Sequence, residues 1–482
     1  MNSGKFSIFT VSLFFLFVLH VLAGCVPVTN NFQSVPVENA ADKGRLSFFL
    51  NLLEIDGPDL TMRISAIQLK TEDGALVTHP LDLLNVESGK IKGGQKFLAR
   101  MALEPGKYTQ VRLLLSEAGQ VGVQGNQLLP LKESEAVLDL RSPLDIVVGD
   151  SKSLFFSWDT RKSLVDNQFY PALLVAPTLK KLIANVAYVA CPEIDTVFMI
   201  STEQNRVIDS LGIPGGPTYL AQNTNGRSDE VDVLAAQDLR LYVFSSTTNN
   251  LTEKYNLTML NRPVHFALSP NGRWSYIIDQ QLGTVSRMDM SSGTMDKQVR
   301  LNFDPMYILY LEKYDLVAVS LRISQTVVLL NAETMEQTRT ISTGGSPDGL
   351  RLVDEKLLYI AESGTNSVMI YDLDSNTMVK RVSVGFQPRR ILHTGNYVYV
   401  ANYGENSIST FRHGLLTTSR TVPFPGQPLE MVYDDNTNWV YVGNRKTMSL
   451  EVMNSLTNAF AGNIELGAVP QGILIMRENS TF

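Results

Sequence analysis

Residue types that carry most metal and redox chemistry are scarce in this sequence. Its 482 residues include 2 cysteines, 5 histidines and 3 tryptophans. Two cysteines cannot form a disulfide framework, and Cys191 would have no partner if Cys25 were modified. The sequence therefore excludes a disulfide-stapled domain, and we expect Cys191 to be a buried thiol in a strand.

Recognisable catalytic motifs are absent as well. The chain has no H-E-x-x-H, G-x-S-x-G, Walker-type G-x-x-x-x-G-K-[ST] or Cys-x-x-Cys motif. The acidic cluster at 229–232 lacks the spacing and the glycine of an EF-hand. The histidines beyond the N-terminal segment are not spaced as metal ligands, so we expect each to be structural. They are His79, His265, His393 and His413. No metal and no catalytic set is predicted.

Positive charge is also in short supply. The formal net charge is -7, with 18% charged and 44% hydrophobic residues. A negative balance argues against nucleic acid as a partner, because binding to the phosphate backbone relies on dense lysine and arginine. The hydrophobic fraction is sufficient for a large core, and the length suggests two or three domains.

The one long apolar run stands at the N-terminus. Lys5 precedes the stretch FSIFTVSLFFLFVLHVLAGC, which ends at Cys25. Small residues before a cysteine resemble the bacterial lipobox, which implies that residues 1–25 are a lipoprotein signal peptide and that Cys25 is lipidated. An uncleaved transmembrane anchor is the alternative, although the run barely reaches spanning length. We expect a lipid-anchored protein of the cell envelope, and Val26 after the cysteine favours the outer membrane by analogy with Gram-negative sorting.

A polar stretch with two prolines follows at 26–43 and is typical of a flexible tether. Residues 44–180 contain short alternating runs separated by turn signals such as EDG, EPG and QGN, which predict an all-β sandwich. The stretches LEPGKYTQVRLLL and SLFFSWDTRKSLV resemble an uncharacterised, prealbumin-like β-sandwich domain found at the N-terminus of bacterial lipoproteins. That resemblance implies a fold and a location but no chemistry.

The rest of the chain, residues 187–482, repeats one phrase. An apolar-Tyr-apolar pattern such as LYIA or VYVA recurs seven times, with spacings between 34 and 54 residues. The marker positions are Tyr188, Tyr242, Tyr276, Ala318, Tyr359, Tyr399 and Tyr441. Seven alternating units with a period near forty predict a seven-bladed β-propeller with four strands per blade. The longest spacing is attributed to a surface insertion at 218–230.

A proline stands eleven to thirteen residues before most marker positions, where it suits the start of an innermost strand. With the repeated VYVA phrase, this pattern resembles the YVTN family of seven-bladed propellers. The first unit has no innermost strand before it, whereas the chain ends with the unpaired run QGILIM after Pro470. We therefore expect the C-terminal strand to complete the first blade and close the ring.

In this topology, the loops before each proline and the turns after each second strand share one face around the central channel. Polar and aromatic residues gather there: Gly345, Ser346, Glu362, Asn366, Phe386, Gln387, Asn402, Asn406 and Asn444. Many of them are also what tight turns need. Arginines near the inner strands could offer fork-shaped donors to an acidic ligand. The candidate ligand-binding residues are Arg351, Arg389, Arg390, Tyr403, Glu405 and Arg445.

Three functions are compatible with these patterns. The absence of catalytic motifs favours a binding or scaffold protein that presents the propeller face to a protein, peptide or glycan. The family resemblance also implies an enzyme, either a lactonase-like hydrolase or a subunit of a periplasmic dehydrogenase. A lactonase would place a carboxylate, an arginine and often a histidine at the channel mouth; Glu362, Glu405 and Arg390 supply part of that set, and no histidine is expected there. Nucleic-acid binding is the third and least favoured function. Quinone-holding propellers stack the cofactor on tryptophans, which are few here, so no cofactor is expected.

Overall fold

The computed structural model describes residues 42–122, 125–179, 185–222, 229–301, 304–414, 417 and 420–476. Cys25 and almost all of the predicted tether lie outside the described residues. Within those ranges the chain is built of strands, with three short 3-10 helices at Ser88–Ile91, Pro192–Ile194 and Glu312–Tyr314. None of the helices in the described part is long and apolar enough to cross a membrane.

Two sheets of the N-terminal part face each other across one core, as expected of a β-sandwich. The strands are β1 (Gly44–Leu52), β2 (Leu60–Thr71), β3 (Leu76–Glu87), β4 (Lys96–Leu103), β5 (Gly106–Gly122), β6 (Gly125–Leu129), β7 (Glu135–Ile146), β8 (Ser151–Trp158), β9 (Leu164–Val165), β10 (Gln168–Phe169) and β11 (Leu173–Ala176). One sheet has the order β11-β8-β1-β4, and the other has β3-β2-β5-β6 with β7 also paired to β5. Phe48, Phe156 and Trp158 are fully buried between them.

Seven four-stranded sheets follow, and six of them are formed by four consecutive strands. Blade 2 has β15 (Pro217–Gln222), β16 (Glu230–Ala235), β17 (Arg240–Ser245) and β18 (Leu251–Asn256), and blade 3 has β19 (Pro263–Leu268), β20 (Trp274–Asp279), β21 (Thr284–Asp289) and β22 (Thr294–Arg300). Blade 4 has β23 (Pro305–Leu311), β24 (Leu316–Leu321), β25 (Thr326–Asn331) and β26 (Gln337–Ser342), and blade 5 has β27 (Pro347–Val353), β28 (Leu357–Glu362), β29 (Ser367–Asp372) and β30 (Thr377–Ser383). Blade 6 has β31 (Pro388–His393), β32 (Tyr397–Asn402), β33 (Ser407–Arg412) and β34 (Arg420–Pro423), and blade 7 has β35 (Pro428–Asp434), β36 (Trp439–Asn444), β37 (Ser449–Asn454) and β38 (Ala459–Glu465).

Blade 1 is assembled from both ends of the propeller. It has β12 (Val186–Cys191), β13 (Thr196–Ser201), β14 (Arg206–Gly212) and the C-terminal β39 (Gly472–Met476). β12 and β39 pair antiparallel from Val186–Met476 to Ala190–Gly472. The predicted closure by the C-terminal strand is therefore confirmed, and it gives blade 1 the same four strands as the other blades.

One repeat marker was assigned to the wrong strand. Tyr242 lies on β17, the third strand of blade 2, and the second strand β16 carries Asp232 at the position where five other blades carry tyrosine. Asp232 stands 44 residues from both Tyr188 and Tyr276, so the repeat is regular at this blade. Residues 218–222 of the predicted insertion belong to the inner strand β15, residue 230 begins β16, and residues 223–228 lie outside the described residues.

Where it is present, the recurring tyrosine links its blade to the next one. Its ring is almost fully buried, and in four blades its hydroxyl donates a hydrogen bond to a backbone carbonyl in the turn after the third strand of the following blade. The pairs are Tyr188–Ser246, Tyr276–Ala332, Tyr399–Ser455 and Tyr441–Thr202. The tyrosine therefore combines a large buried surface with a satisfied polar tip, which explains why the sequence repeats it.

The sandwich packs against the blade that closes the ring and against its neighbour, blade 7. Phe49 and Phe155 belong to the same buried cluster as residues of blades 1 and 7, and the Phe49 ring lies 5.9 Å from that of Phe198 on β13. Arg100 of β4 donates hydrogen bonds to the carbonyls of Leu466 (2.9 Å) and Gly467 (3.0 Å), directly after β38. The sandwich and the propeller therefore share one buried core beside blades 1 and 7, where the ring closes. We call this contact the closing seam.

Candidate functional site

The polar segments between the second and third strands are four-residue turns. In every blade the last residue of the turn has a positive φ, between 50° and 67°. These residues are Asp195, Leu239, Gly283, Gln325, Asn366, Asn406 and Met448. In blades 2 to 7 the backbone of the turn is also tied to the loop before the innermost strand, as where the amide of Tyr403 donates to the carbonyl of Gln387 (3.0 Å). The two sets of loops therefore share one face, and Asn366 and Asn406 are turn residues first.

Three polar residues expected on that face lie inside the blades instead. Glu362, Asn402 and Asn444 each end a second strand and are fully buried. Glu362 accepts hydrogen bonds from the amide of Gly344 (2.6 Å) and from the Arg381 guanidinium (2.9 Å). Asn444 also bonds within its own blade, and Asn402 donates through Nδ2 to Ser407 (2.8 Å) and Ser409 (2.9 Å), although its Oδ1 has no partner among the described residues. All three residues are enclosed in the blades, where their hydrogen bonds hold the loops.

The innermost strands bring together a ring of side chains near the channel mouth. Each of these strands follows or begins with a proline, and the residue two positions after that proline defines the ring. The seven members are Tyr219, His265, Tyr307, Gly349, Arg390, Glu430 and Gly472. We call this set the channel ring. It gathers two tyrosines, a histidine, an arginine and a glutamate from five different blades.

His265 lies between two tyrosine rings. Its centroid is 3.6 Å from that of Tyr219 and 4.1 Å from that of Tyr307, and the residue is only 3% exposed. Burial and the nearby Arg390 cation hold the pKa of His265 well below its usual range, so the imidazole is neutral. Both ring nitrogens lack a hydrogen-bond partner among the described residues. Unfilled hydrogen-bonding capacity in a buried group is unusual and marks a place where a ligand or water can bond.

Arg390 connects the ring to buried carboxylates on both sides. Its Nη1 donates to Asp348 (2.6 Å) and its Nε donates to Glu430 (3.0 Å), while its guanidinium lies 5.2 Å from the Tyr307 ring centroid. Asp348 also accepts from Arg322 (3.1 Å). Burial alone would lower the pKa of Arg390, but the two carboxylates outweigh burial and raise that pKa above its usual value. This network crosses blades 4 to 7.

The other predicted residues have separate positions. The Arg389 guanidinium lies 3.7 Å from the ring centroid of Tyr403, and burial lowers its pKa. Arg445 and Glu405 are exposed residues of the turns, and Glu405 accepts a hydrogen bond from Ser407 (2.6 Å). The remaining predicted residue, Arg351, lies further along an innermost strand, near the other end of the channel. The structure therefore places Arg389 beside Tyr403 at the mouth and Arg390 in the channel ring. The six predicted ligand-binding residues do not form a single site.

Comparisons with known proteins were made for the whole chain. Residues 389–459 match the family model described as "Lactonase, 7-bladed beta-propeller", and residues 53–172 match a domain of unknown function, DUF4382. A functionally unknown protein from Desulfotomaculum acetoxidans is similar in structure, with a TM-score of 0.54, 14% identity, and coverage of 61% of this chain and 100% of that chain. A Bacteroides fragilis protein described as a candidate 6-phosphogluconolactonase has a TM-score of 0.53, 14% identity, and coverage of 61% and 98%. No curated protein sequence matches this chain.

These matches confirm the seven-bladed propeller and the N-terminal domain of unknown function. At 14% identity the structural likeness shows the fold alone. The sequence prediction missed His265, Tyr219, Tyr307 and Glu430. The signal was present, because counting two residues on from every proline that opens an inner strand would have collected the whole channel ring. Among the described residues, no group of three histidine, cysteine, aspartate or glutamate side chains could hold a metal ion.

Proposed function

We propose that this protein is a lactonase-like hydrolase whose substrate binds at the channel mouth, above the channel ring. One observation carries the proposal: a neutral histidine, an arginine and a glutamate converge on the innermost strands at the same level of the channel. The match of residues 389–459 to the lactonase family model supports it, since that segment contains Arg389, Arg390 and Glu430.

Hydrolysis of a lactone requires a base that activates water and a cation that stabilises the charge developing on the carbonyl oxygen. Glu430 is the candidate base, because its side chain keeps 14% exposure and one oxygen is oriented by Arg390. Arg389 is the candidate for the developing oxyanion, because it has no carboxylate partner among the described residues. His265, neutral and without a partner, can accept or return the proton.

The first test is hydrolysis of γ- and δ-lactones by the whole soluble part of the chain, residues 42–482, followed in a pH-stat. We expect Glu430→Gln and His265→Asn to lower kcat/KM by roughly 100-fold or more, the range of general acid–base catalysis. His79→Gln, in the sandwich, is the matched control and should keep full activity. A wild-type protein that leaves every lactone intact would refute the proposal.

A binding function is the second candidate, and a surface feature favours it. Phe386 is 49% exposed on the same face as the stacked pair Arg389 and Tyr403. Aromatic residues and arginine dominate the energetics of protein interfaces. If the lactone assay is negative, recovery of a protein, peptide or glycan partner that depends on Phe386 and Arg389 would support the scaffold function. If variants of Phe386 and Arg389 keep both the partner and the hydrolytic activity, the channel mouth is not the functional site.

We also propose that the mature protein is anchored in the cell envelope by a lipid on Cys25, most consistently in the outer membrane. Cys25→Ala should move the protein from the membrane fraction to the soluble fraction. Cys191→Ala is the matched control, because its thiol is buried in β12 and should not affect anchoring. If the Cys25→Ala protein stays in the membrane with its N-terminus intact, the apolar run is a transmembrane helix.

A further inference from the structure

The innermost strands meet their neighbours through a second repeated pair, below the channel ring. These positions are counted from the proline at the start of each innermost strand. The residue at position four of one blade lies beside the residue at position five of the next blade. In five of the seven seams both members belong to one apolar cluster. These pairs are Ala221–Leu268, Ala267–Tyr310, Leu309–Leu352, Leu392–Tyr433 and Val432–Ile475.

The seam between blades 5 and 6 departs from this pattern. The equivalent positions are occupied by Arg351 on β27 and His393 on β31. β27 and β31 are neighbouring innermost strands in contact, so the two residues lie at the same seam. Burial, the nearby His413 and the Arg351 cation, in that order, lower the pKa of His393. An apolar contact that five other seams keep has been replaced here by a cation and an imidazole.

Both residues have hydrogen-bonding atoms without a partner among the residues that the structure describes. Arg351 is exposed, although it lies on an innermost strand, and it makes no hydrogen bond or salt bridge with any residue that the structure describes. His393 is partly buried, and its Nε2 is buried without a partner in the described part of the chain. An unpaired guanidinium and an unpaired ring nitrogen therefore occur at the same blade seam.

The surrounding titratable groups are occupied with one another. His413 Nε2 lies 2.6 Å from Asp354 Oδ2, and its Nδ1 lies 3.4 Å from the Tyr359 hydroxyl. The His393 and His413 rings meet edge-on with centroids 5.2 Å apart. Asp354, His413 and Tyr359 therefore form a closed network behind the seam, and they leave Arg351 and His393 as the groups with unfilled bonding capacity.

We propose that the lower channel at the seam of blades 5 and 6 binds a hydroxycarboxylate with an apolar tail. The carboxylate accepts two parallel N–H bonds from the Arg351 guanidinium, whose planar fork suits it geometrically. The ligand hydroxyl donates to the unpaired Nε2 of His393. The tail lies along the apolar wall formed by residues such as Leu309 and Leu352. This site lies about 7 Å below the channel ring, because Arg351 is two positions after Gly349 along the strand.

The test is calorimetric binding of 3-hydroxyoctanoate, octanoate and octane-1,3-diol to residues 42–482. We expect 3-hydroxyoctanoate to bind most tightly, and Arg351→Met to weaken both carboxylates at least about tenfold while leaving the diol unchanged. His393→Phe should abolish the preference for 3-hydroxyoctanoate over octanoate and leave octanoate binding intact. Tyr433→Phe, at the position equivalent to His393 in blade 7, is the matched control and should behave as wild type.

The readout is binding, so a protein that hydrolyses no lactone can still confirm this site. The proposal is overturned if wild-type protein binds none of the three probes. Equal affinity for octanoate and 3-hydroxyoctanoate in wild type would remove the role of His393. Unchanged carboxylate binding in Arg351→Met would remove the site altogether.

Discussion

Replacement of Arg390 by methionine is expected to destabilise the propeller by about 3 kcal/mol, because removing one partner of a buried ion pair leaves the other charge uncompensated. Asp348 is fully buried and Glu430 nearly so, and both bond to this guanidinium. Asp348 would keep Arg322 at 3.1 Å, which places the cost at the lower end of the usual range. Calorimetry of residues 42–482 should show a melting temperature lower by roughly 3–5 °C.

Two further variants identify the cause of that loss. Arg390→Lys keeps the charge but not the fork, so it cannot bond to both carboxylates and should fall between wild type and methionine. Arg390→Met combined with Glu430→Met removes both charges, and it should recover part of the lost stability if the orphaned carboxylate is responsible. A melting temperature for Arg390→Met equal to that of wild type would show that the network contributes nothing to the fold.

The propeller could be predicted from sequence because the features that specify each blade lie close together in the chain. Strand alternation, the buried tyrosine and the opening proline all fall within one forty-residue unit, so the period identifies them without knowledge of contacts. Blade 2 was misassigned for the same reason. Asp232 replaces its tyrosine, and the pattern moved to Tyr242 on the next strand, which also reads apolar-Tyr-apolar.

The candidate site was less predictable because its contacts cross blades. Arg390 was expected to be free for an acidic ligand, but Asp348 and Glu430 stand forty residues away on either side and neutralise it. His265 was expected to be structural, since a lone histidine in a strand carries no local sign of its neighbours. Only its place in the channel, between Tyr219 and Tyr307, makes it a candidate.

The sandwich is expected to be necessary for a stable propeller, so expression of residues 185–482 alone should give a protein that melts at least roughly 10 °C lower or aggregates. The seam that it covers includes Phe198, Val207 and Leu466, all without exposed surface in the two-domain protein. Each such side chain loses about 1.5–3 kcal/mol when it is returned to water. Because β39 joins blade 1 by pairing with β12 and not through a chain connection, we expect the ring to open first at this blade.

Hydrogen bonds and a salt bridge across the closing seam also make the propeller depend on the sandwich. Gln95 acts like an added strand residue: its Nε2 donates to the carbonyl of Val207 and its Oε1 accepts from the Val207 amide, both at 3.1 Å. Lys96 forms a salt bridge with Glu465 at 2.7 Å. Without the sandwich, the outer edges of β14 and β38 would lose these partners and become unpaired strand edges, which favour aggregation.

A point substitution tests the contact between the sandwich and the propeller without removing a whole domain. Gly467 has φ +63°, and an added Cβ would stand 2.4 Å from Cε1 of Phe97. Gly467→Ala should therefore combine backbone strain with displacement of Phe97 from the seam, at a cost of about 1–3 kcal/mol for overpacking beyond the strain. Gly93→Ala is the matched control, since it has φ +73° with open space around the added carbon. If both variants melt alike, and limited proteolysis cuts the segment at 180–184 equally in each, the sandwich and the propeller are stable independently of their contact.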